Sequence, residues 1–247
     1  MPLSDFASVR PSGLIAIRLN DGDELGWVML TSGKDDLIMV SREGKALRFK
    51  EKEVRPTGRT TMGVSGIHLR GDDKVVSVDV VDENGYLLVI TDKGQGKRTP
   101  LSEYLAKSRG TLGVTTISQE SRPEIGDIAQ AMIVLDGEDI TTITKNGIVL
   151  RTKVSDISIQ GRSTQGVRIM DIGEGDGLAA MVRVSAEEVE SAIKAREQAL
   201  AEETSENALR NPETETDVEE AIEDEKIDES EEFSDEESDD EEESDED

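Results

Sequence analysis

One segment of this 247-residue chain occurs three times, and this repetition limits what the chain can fold into. The copies span residues 41–64, 91–114 and 144–167. The landmarks that keep one register through all copies are Gly44, Gly94 and Gly147; Arg48, Arg98 and Arg151; Arg59, Arg109 and Arg162; and Gly63, Gly113 and Gly166. A period near 50 residues is typical of solenoids, propellers and other arrays. The sequence therefore predicts a repeat protein.

Each complete repeat carries four short apolar segments that are rich in β-branched residues and predict strands. They lie at 14–19, 25–30, 37–40 and 45–49; at 64–69, 75–80, 86–91 and 96–99; and at 114–118, 128–134, 140–144 and 148–152. Between the last two segments of each repeat, Gly44, Gly94 and Gly147 supply the positive φ of tight hairpin turns. Four antiparallel strands per repeat predict one blade per repeat, and hence an all-β, propeller-like fold.

The repeats define the expected domain organisation. Complete repeats at 13–62, 63–112 and 113–165, with partial copies at 1–12 and 166–184, predict one β-domain over residues 1–184. Because residues 2–6 match residues 100–104, we expect the chain to begin within a repeat. The segment 185–203 is rich in Ala and Glu and predicts a short helix, either solvent-exposed or docking. Residues 204–247 are dominated by Glu, Asp and Ser, which predicts a disordered acidic tail.

Charge is divided unevenly along the chain. The formal net charge is −28, yet residues 1–183 hold 24 basic against 26 acidic residues, so the excess lies beyond them. Within the repeats, the segments 44–62, 94–112 and 147–165 together hold 13 basic and only 4 acidic residues. Matched segments of radial blades lie at one height and radius. The sequence therefore predicts that these basic segments join into a continuous positive band.

A positive band on a rigid disc is suited to duplex DNA, which carries one negative charge per roughly 1.7 Å of its axis. Such contacts to phosphates position DNA without reading its sequence, in agreement with the lack of a base-reading motif. Bending 20–30 base pairs by 40–90° costs about 1 to 6 kcal/mol, so several cations per blade are needed to offset it. The alternative interpretation is that these Lys and Arg side chains are ordinary solvated surface.

These same residues carry a resemblance to a known family. The run GQGKRTPLSEY at 94–104, followed by RGTLGV at 109–114, resembles the repeat of the carboxy-terminal domain of bacterial DNA gyrase A proteins. The runs RPTGRT at 55–60 and GRSTQGVR at 161–168 resemble it equally well. The resemblance implies a β-pinwheel that wraps DNA around its rim and supports ATP-dependent negative supercoiling by a type II topoisomerase. The family's basic glycine-rich box, QRRGGKG, is absent.

By position, the resemblance implies a set of DNA-binding residues on the rim. They are Lys45, Arg48, Arg55, Arg59, Lys97, Arg98, Lys107, Arg109, Arg151, Lys153 and Arg162. The implied partners are double-stranded DNA, the gyrase B protein and a second gyrase A protein, in the bacterial cytoplasm with the nucleoid. The chain is expected to be a fragment without the catalytic tyrosine domain, and so to be no enzyme on its own. No cofactor is expected here, since ATP and Mg act on other domains of the holoenzyme.

No catalytic or metal site is predicted. The chain has no cysteine and one histidine, His68, around which no catalytic dyad or triad can be assembled. Tyr86 and Tyr104 fall at strand and connection positions, where we expect structural roles. The acidic pairs Asp72–Asp73 and Asp21–Asp23 lack the spacing of a calcium loop and are expected to be turn carboxylates. No window approaches 18 consecutive apolar residues, so no membrane span is predicted.

Three other functions remain open at this point. The matching protein of topoisomerase IV has a similar but less regular carboxy-terminal domain, and the even spacing here favours gyrase. A protein-binding propeller scaffold of the kelch or WD type would carry aromatic signatures in every blade, whereas this chain has only Trp27. An enzyme built on a propeller would need a constellation of catalytic residues that the sequence does not offer. For the acidic tail, one hypothesis is competition with DNA for the rim, and the other is a solubilising role.

Overall fold

The chain forms an almost entirely β structure, in agreement with the fold class predicted from the repeats. The computed structural model describes residues 1–8, 11–196 and 198. Contacts divide the chain into the units Met1–Val189 and Glu190–Asp247. The strands are β1 (Asp36–Ser41), β2 (Lys45–Lys50), β3 (Val75–Val80), β4 (Tyr86–Thr91), β5 (Gln95–Pro100), β6 (Val114–Thr115), β7 (Ile128–Val134), β8 (Asp139–Thr144), β9 (Val149–Lys153), β10 (Val167–Arg168) and β11 (Leu178–Val184).

Helical structure is limited to short segments. The described helices are one turn of α-helix, α1 (Arg122–Ile125), four 3-10 turns (Leu3–Phe6, Glu51–Glu53, Leu101–Glu103 and Val154–Asp156), and a helix over residues 186–196. Three of the 3-10 turns follow the second strand of a hairpin directly. The helix lies within the range predicted as helical, 185–203, whereas the predicted disordered tail at 204–247 lies outside the described residues.

Three hairpins, β1–β2, β4–β5 and β8–β9, form at the positions predicted from the repeats. Their turns place Gly44, Gly94 and Gly147 at φ of 88°, 80° and 86°, a region that favours glycine. In each hairpin a hydroxyl at the end of the first strand accepts the backbone N–H four residues later. These bonds join Ser41 to Lys45 (3.1 Å), Thr91 to Gln95 (3.2 Å) and Thr144 to Ile148 (3.2 Å).

Each sheet is built around the hairpin of one repeat, but the expectation that the four strands of a repeat pair with one another was wrong. Sheet 1 has the order β3-β1-β2-β6, sheet 2 has β10-β5-β4-β7, and sheet 3 has β11-β8-β9. Each hairpin therefore pairs on one side with a long strand from the next repeat. Sheets 1 and 2 also pair on the other side with a two-residue strand from the repeat after that.

This offset explains which predicted strands fail to form. Residues 14–19, 25–30 and 64–69 were expected to be strands but have no β structure. By the pattern of sheets 1 and 2, each of these segments would pair with a hairpin of an earlier repeat. No hairpin precedes β1 in the described residues, so these segments have no edge with which to form hydrogen bonds.

The core lies between neighbouring sheets. Strand β4 is buried on both faces: Leu87 and Val89 pack into the cluster shared with sheet 1, and Leu88 and Ile90 into the cluster shared with sheet 3. Side chains alternate between the faces of a strand, so a strand with two buried faces is apolar at nearly every position. This explains why residues 86–91 show a continuous apolar run rather than an alternating pattern.

Candidate nucleic-acid interface

Each repeat ends in a four-residue turn with arginine at its second position, and the three turns are built alike. The turns span residues 58–61, 108–111 and 161–164. In every turn the hydroxyl of the last residue, a threonine, donates to the carbonyl of the first. The distances are 2.8 Å from Thr61 to Gly58, 3.0 Å from Thr111 to Ser108 and 2.9 Å from Thr164 to Gly161. The geometry therefore repeats with the sequence.

A glutamate of the preceding repeat fixes the arginine backbone in two of these turns. The backbone N–H of Arg109 donates to Glu53 Oε2 at 3.1 Å, and that of Arg162 donates to Glu103 Oε2 at 3.2 Å. The guanidinium of Arg109 also donates to Glu53 O and Ser65 O, at 3.0 and 2.9 Å. Both arginines remain half-buried, so a part of each guanidinium stays at the surface.

The segment that leads into the second and into the third turn lies along the hairpin of the preceding repeat. Lys107 N donates to Arg48 O at 2.8 Å, and Gln160 N donates to Arg98 O at 2.9 Å. Arg98 N in turn donates to Ser158 O at 3.1 Å, which gives an isolated parallel bridge. The basic segments of consecutive repeats are therefore joined through the edges of sheets 1 and 2.

Arg98 is part of the interior and not of this surface. Its side chain is 7% exposed, its Nε donates to Ile157 O at 2.7 Å, and its Nη2 donates to Ser155 O at 3.0 Å. It also pairs with Asp136 and lies 4.8 Å from the centroid of the Tyr86 ring. These contacts connect the second repeat to the third. We therefore withdraw Arg98 from the predicted DNA-binding set.

Arg48 also connects its own hairpin to the next repeat, whereas the matched Arg151 makes only the contact within its own hairpin. The Arg48 side chain is 10% exposed; it pairs with Asp36 at 2.8 Å and with Glu83. Its Nη1 also donates to Leu101 O of the next repeat, at 3.4 Å. Arg151 repeats the pairing within its own hairpin, to Asp139 at 2.8 Å, but is 48% exposed. Of the two, only Arg151 presents much of its guanidinium to solvent.

Lys97 is completely buried and holds the turn of the next repeat. Its Nζ donates to Arg162 O at 2.6 Å, to Thr164 Oγ1 at 2.9 Å, and to Gly161 O. Burial lowers the pKa of this ammonium group to about 8, because desolvation penalises its charged form. A DNA phosphate cannot reach Lys97, so this prediction of a DNA contact is also withdrawn.

The remaining predicted residues stay at the surface to different degrees. Arg55, Lys107 and Lys153 are exposed, and Arg59 is half-buried with its guanidinium 3.4 Å from Ile15 O. Lys45 is half-buried and donates from Nζ to Thr115 Oγ1 at 2.9 Å, which helps to hold β6.

Two exposed lysines were missed by the sequence reasoning. Lys50 is the last residue of β2, as Lys153 is of β9, and Lys52 follows in the next 3-10 turn. The matched positions of Lys50 and Lys153 in the repeats were the signal that could have identified Lys50, whereas no matched lysine points to Lys52. With these additions, we define the exposed basic set as Lys50, Lys52, Arg55, Lys107, Arg151 and Lys153.

The aromatic and histidine residues are distributed as follows. Tyr104 is 1% exposed, and its hydroxyl shares a hydrogen bond with Thr116. Burial raises the pKa of Tyr104 to about 12, so this phenol stays protonated at neutral pH. His68 is exposed.

Nowhere in residues 1–8, 11–196 and 198 do three potential metal ligands come together, and no helix there is long and apolar enough to cross a membrane.

Comparisons with known proteins agree with this architecture. The model of the family "DNA gyrase C-terminal domain, beta-propeller" matches residues 1–32, 35–82, 85–130 and 138–185. The DNA gyrase A protein of Salmonella typhimurium is 46% identical over 183 residues, which is 74% of this chain and 21% of that protein. The DNA gyrase A protein of Mycolicibacterium smegmatis is 42% identical over 192 residues, 77% of this chain and 22% of that protein. The chain thus spans about a fifth of these relatives.

Two solved structures share the fold. The C-terminal domain of DNA topoisomerase IV has a TM-score of 0.71 at 28% identity, over 80% of this chain and 62% of that one. A DNA gyrase A C-terminal domain has a TM-score of 0.65 at 31% identity, over 70% of this chain and 59% of that one. The family model covers well over half of the 247 residues, and its last three segments each contain one hairpin of the structure. The chain therefore belongs to the DNA gyrase C-terminal domain family.

Proposed function

We propose that this chain binds duplex DNA along the surface that carries the exposed basic set, here called the basic edge, and bends the duplex around that edge. The observation that carries the proposal is the arrangement of the basic segments: the second and third lie against the hairpin of the preceding repeat, and the three together leave six cations exposed. Contacts of this kind address phosphates and need no base contacts. The rigid sheets beneath them hold the cations in place, so DNA that follows them has to bend.

The salt dependence of DNA binding tests the proposal. Each phosphate contact contributes a slope of about 0.9 in the plot of log affinity against log salt concentration. The variant Arg55→Gln/Lys107→Gln/Lys153→Gln should lower that slope by roughly 2 to 3. The matched control is Lys34→Gln/Lys74→Gln/Lys145→Gln, which removes three exposed lysines outside the basic segments and should change the slope much less. Equal slopes for the two variants would refute the proposed surface.

A topological assay separates wrapping from simple binding. When a plasmid is relaxed by a type I topoisomerase in the presence of the chain, wrapped DNA retains a changed linking number after the protein is removed. A linear rather than curved contact leaves the linking number unchanged. We expect a shift that grows with protein concentration and that the triple variant of the basic segments reduces.

In a complete protein, we propose that this chain supports ATP-dependent negative supercoiling together with the gyrase B protein and a second gyrase A protein, in the cytoplasm and at the nucleoid. The names of the relatives and the family model support gyrase. A role in topoisomerase IV is the second candidate, favoured by the TM-score of 0.71. Joined to a gyrase core, the chain should restore supercoiling of relaxed plasmid; restored decatenation without supercoiling would favour topoisomerase IV.

The acidic segment 204–247 enters this proposal as a competitor of DNA. A tethered polyanion has a high effective concentration at the basic edge. Deletion of residues 204–247 should therefore raise DNA affinity at low salt, whereas unchanged affinity would leave the segment only a solubilising role.

A further inference from the structure

One lysine of the second repeat is buried at a position where the other two repeats carry leucine. Lys97 is 0% exposed, and its counterparts in the other hairpins are Leu47 and Leu150. Removing a charged amine from water is costly, and lysine is almost never fully buried unless a partner requires it. Leucine fills the same position twice, so packing alone does not require a lysine. The ammonium group of Lys97 therefore has a task that a hydrocarbon cannot perform.

The contacts of this ammonium group show the task. It donates to three oxygens of one turn, residues 161–164: to Gly161 O, to Arg162 O at 2.6 Å and to Thr164 Oγ1 at 2.9 Å. An ammonium group has three N–H donors, so donors and acceptors match in number. The acceptors are two carbonyls and a hydroxyl, none of them charged. Lys97 thus holds the turn itself rather than a carboxylate.

Two further contacts hold the remaining polar groups of the same turn. The backbone N–H of Arg162 donates to Glu103 Oε2 at 3.2 Å, and Thr164 O accepts from Ser118 N at 3.1 Å. With its backbone bonded on several sides, the turn has little freedom to move. The parts left at the surface are the Ser163 side chain and the Arg162 side chain, which is 35% exposed.

The matched turn of the second repeat is held in a different way. A leucine stands at the position of the buried lysine there, and the guanidinium of Arg109 itself donates to Glu53 O at 3.0 Å. Within the residues that the structure describes, the guanidinium of Arg162 makes only an ion pair with Glu103, at 3.8 Å. Lys97 therefore replaces the arginine as the side chain that fixes the turn, and it leaves the guanidinium of Arg162 available to a ligand.

The place of this guanidinium suits a phosphate contact. Arg162 follows Gln160 by two residues, and the residue matched to Gln160 in the second repeat is Lys107, a member of the exposed basic set. Gln160 N bonds to Arg98 O as Lys107 N bonds to Arg48 O, so both segments run along their hairpins alike. A guanidinium offers forked donors that match phosphate oxygens. Arg162 thus continues the basic edge in the third repeat.

We propose that Lys97 is a positioning residue for DNA binding, which holds the turn at 161–164 so that the guanidinium of Arg162 is free to contact a phosphate. This inference rests on the proposed function, since the ligand is the duplex bound along the basic edge. Lys97 itself does not touch the DNA. When its charge is lost, the oxygens of the turn exchange this donor for water, and Arg162 loses its fixed place.

A comparison of salt slopes tests the proposal. Arg162→Gln removes one phosphate contact and should lower the slope of log affinity against log salt concentration by about 0.9. Lys97→Leu, which introduces the residue of the two matched positions, should lower it by a similar amount. The double variant should also lose about 0.9 rather than twice that, because both changes remove the same contact. The control Lys145→Leu removes an exposed lysine outside the basic segments and should keep the wild-type slope.

The pH dependence of DNA affinity gives a second test, which needs no variant of Lys97. Burial lowers the pKa of Lys97 to about 8; Glu103 favours its charged form and Arg162 opposes it. Tyr104, on which the same two groups act, stays neutral because burial raises its pKa to about 12. From pH 7 to pH 9 the affinity of the wild type should therefore fall towards that of Arg162→Gln, which should stay constant. A parallel decrease in both proteins would show that Lys97 acts only as a charge and would overturn its positioning role.

The outcomes separate this inference from the proposed function. If Arg55→Gln/Lys107→Gln/Lys153→Gln lowers the slope while a folded Lys97→Leu variant keeps it, only the role of Lys97 is overturned. Additive losses in the double variant would also overturn that role alone. A wild-type chain without salt-dependent DNA binding would overturn both proposals. Circular dichroism establishes that Lys97→Leu is folded, and the pH comparison decides if it is not.

Discussion

At the scale of single residues, identical sequence positions have taken different tasks in successive repeats. Arg48 and Arg98 are buried tethers between repeats, while the matched Arg151 is half exposed. The difference follows from what lies next to each side chain: the segment that follows the hairpin of the next repeat provides carbonyl acceptors for the first two. Basic residues in a repeat thus divide between holding neighbouring repeats together and presenting charge to a ligand.

The tethering role of Arg98 predicts a loss of stability in Arg98→Lys. Lysine keeps the charge, but it lacks the planar guanidinium that donates to Ile157 O, Ser155 O and Asp136 at the same time. Each buried acceptor left without a donor costs about 1 to 3 kcal/mol, so we expect a decrease of that order or larger in the free energy of unfolding by urea. Arg168→Lys, at an exposed pair with Asp171, should stay within about 0.5 kcal/mol of the wild type.

Burial of Lys97 predicts a pH dependence of stability. Its folded-state pKa of about 8 lies below the ordinary value of 10.5. Between these values the unfolded chain binds more protons at this residue than the folded chain, so the free energy of unfolding rises with pH. In urea titrations, the free energy of unfolding of the wild type should therefore rise relative to that of Lys97→Met from pH 8 to 10.5. Parallel curves for the two proteins would show that burial does not shift this group.

At the scale of elements, the short strands matter more than their two residues suggest. Strands β6 and β10 dock where Gly113 and Gly166 allow backbone to approach backbone. Each closes the edge of a sheet and delivers a buried side chain, Ile117 or Met170, to the core between two sheets. The stability of a sheet therefore depends on a segment that begins two repeats further along the chain.

Gly113→Ala should consequently destabilise the protein more than Gly22→Ala. Both glycines have positive φ, 71° and 83°, which costs an alanine about 1 to 2 kcal/mol. Only at Gly113 does the added methyl group also meet the carbonyl of Ala46, and such overpacking adds typically about 1 to 3 kcal/mol. Thermal and urea unfolding of the two variants measure the difference, and equal losses would contradict the close approach described for β6.

Much of this architecture can be predicted from the sequence, and the remainder cannot for a physical reason. The matched glycines and β-branched runs predicted all three hairpins, and residues 75–80 and 128–134 form strands as expected. Alternation of side chains reveals which faces are buried but not which segment pairs with which. The sequence therefore did not predict which strands belong to the same sheet. Similarly, the charge pattern located the basic segments, but it could not predict which of their cations pair with carboxylates distant in sequence, as Arg98 does with Asp136.

At the scale of the whole molecule, sheets 1 and 2 each combine three repeats and so interlock the chain. In sheet 1, β1 and β2 lie between β3 and β6, which come from the two following repeats. The connection between β2 and β3 contains an exposed turn at Gly71 and Asp72. A cut in this turn would separate the covalent chain into two pieces while leaving the sheet intact.

Cleavage at a protease site placed between Gly71 and Asp72 should therefore leave the two pieces bound. We expect them to elute together in native size-exclusion chromatography and to separate in urea. The ladder on both sides of the β1–β2 hairpin, together with the shared core, supports this result. Spontaneous dissociation of the pieces under native conditions would show that the connecting turn, rather than the interleaved strands, holds the first repeat in place.

Interleaving also constrains how such a domain can change its size over evolutionary time. Excising an arbitrary stretch would remove strands from neighbouring sheets and leave several of them incomplete at once. Duplicating one period of about 50 residues instead keeps every pairing. Each new copy supplies strands to the hairpins before it, and its own hairpin pairs with strands from the copies after it. Gain and loss of length are therefore expected to occur in entire periods, with the surface cations multiplying in step.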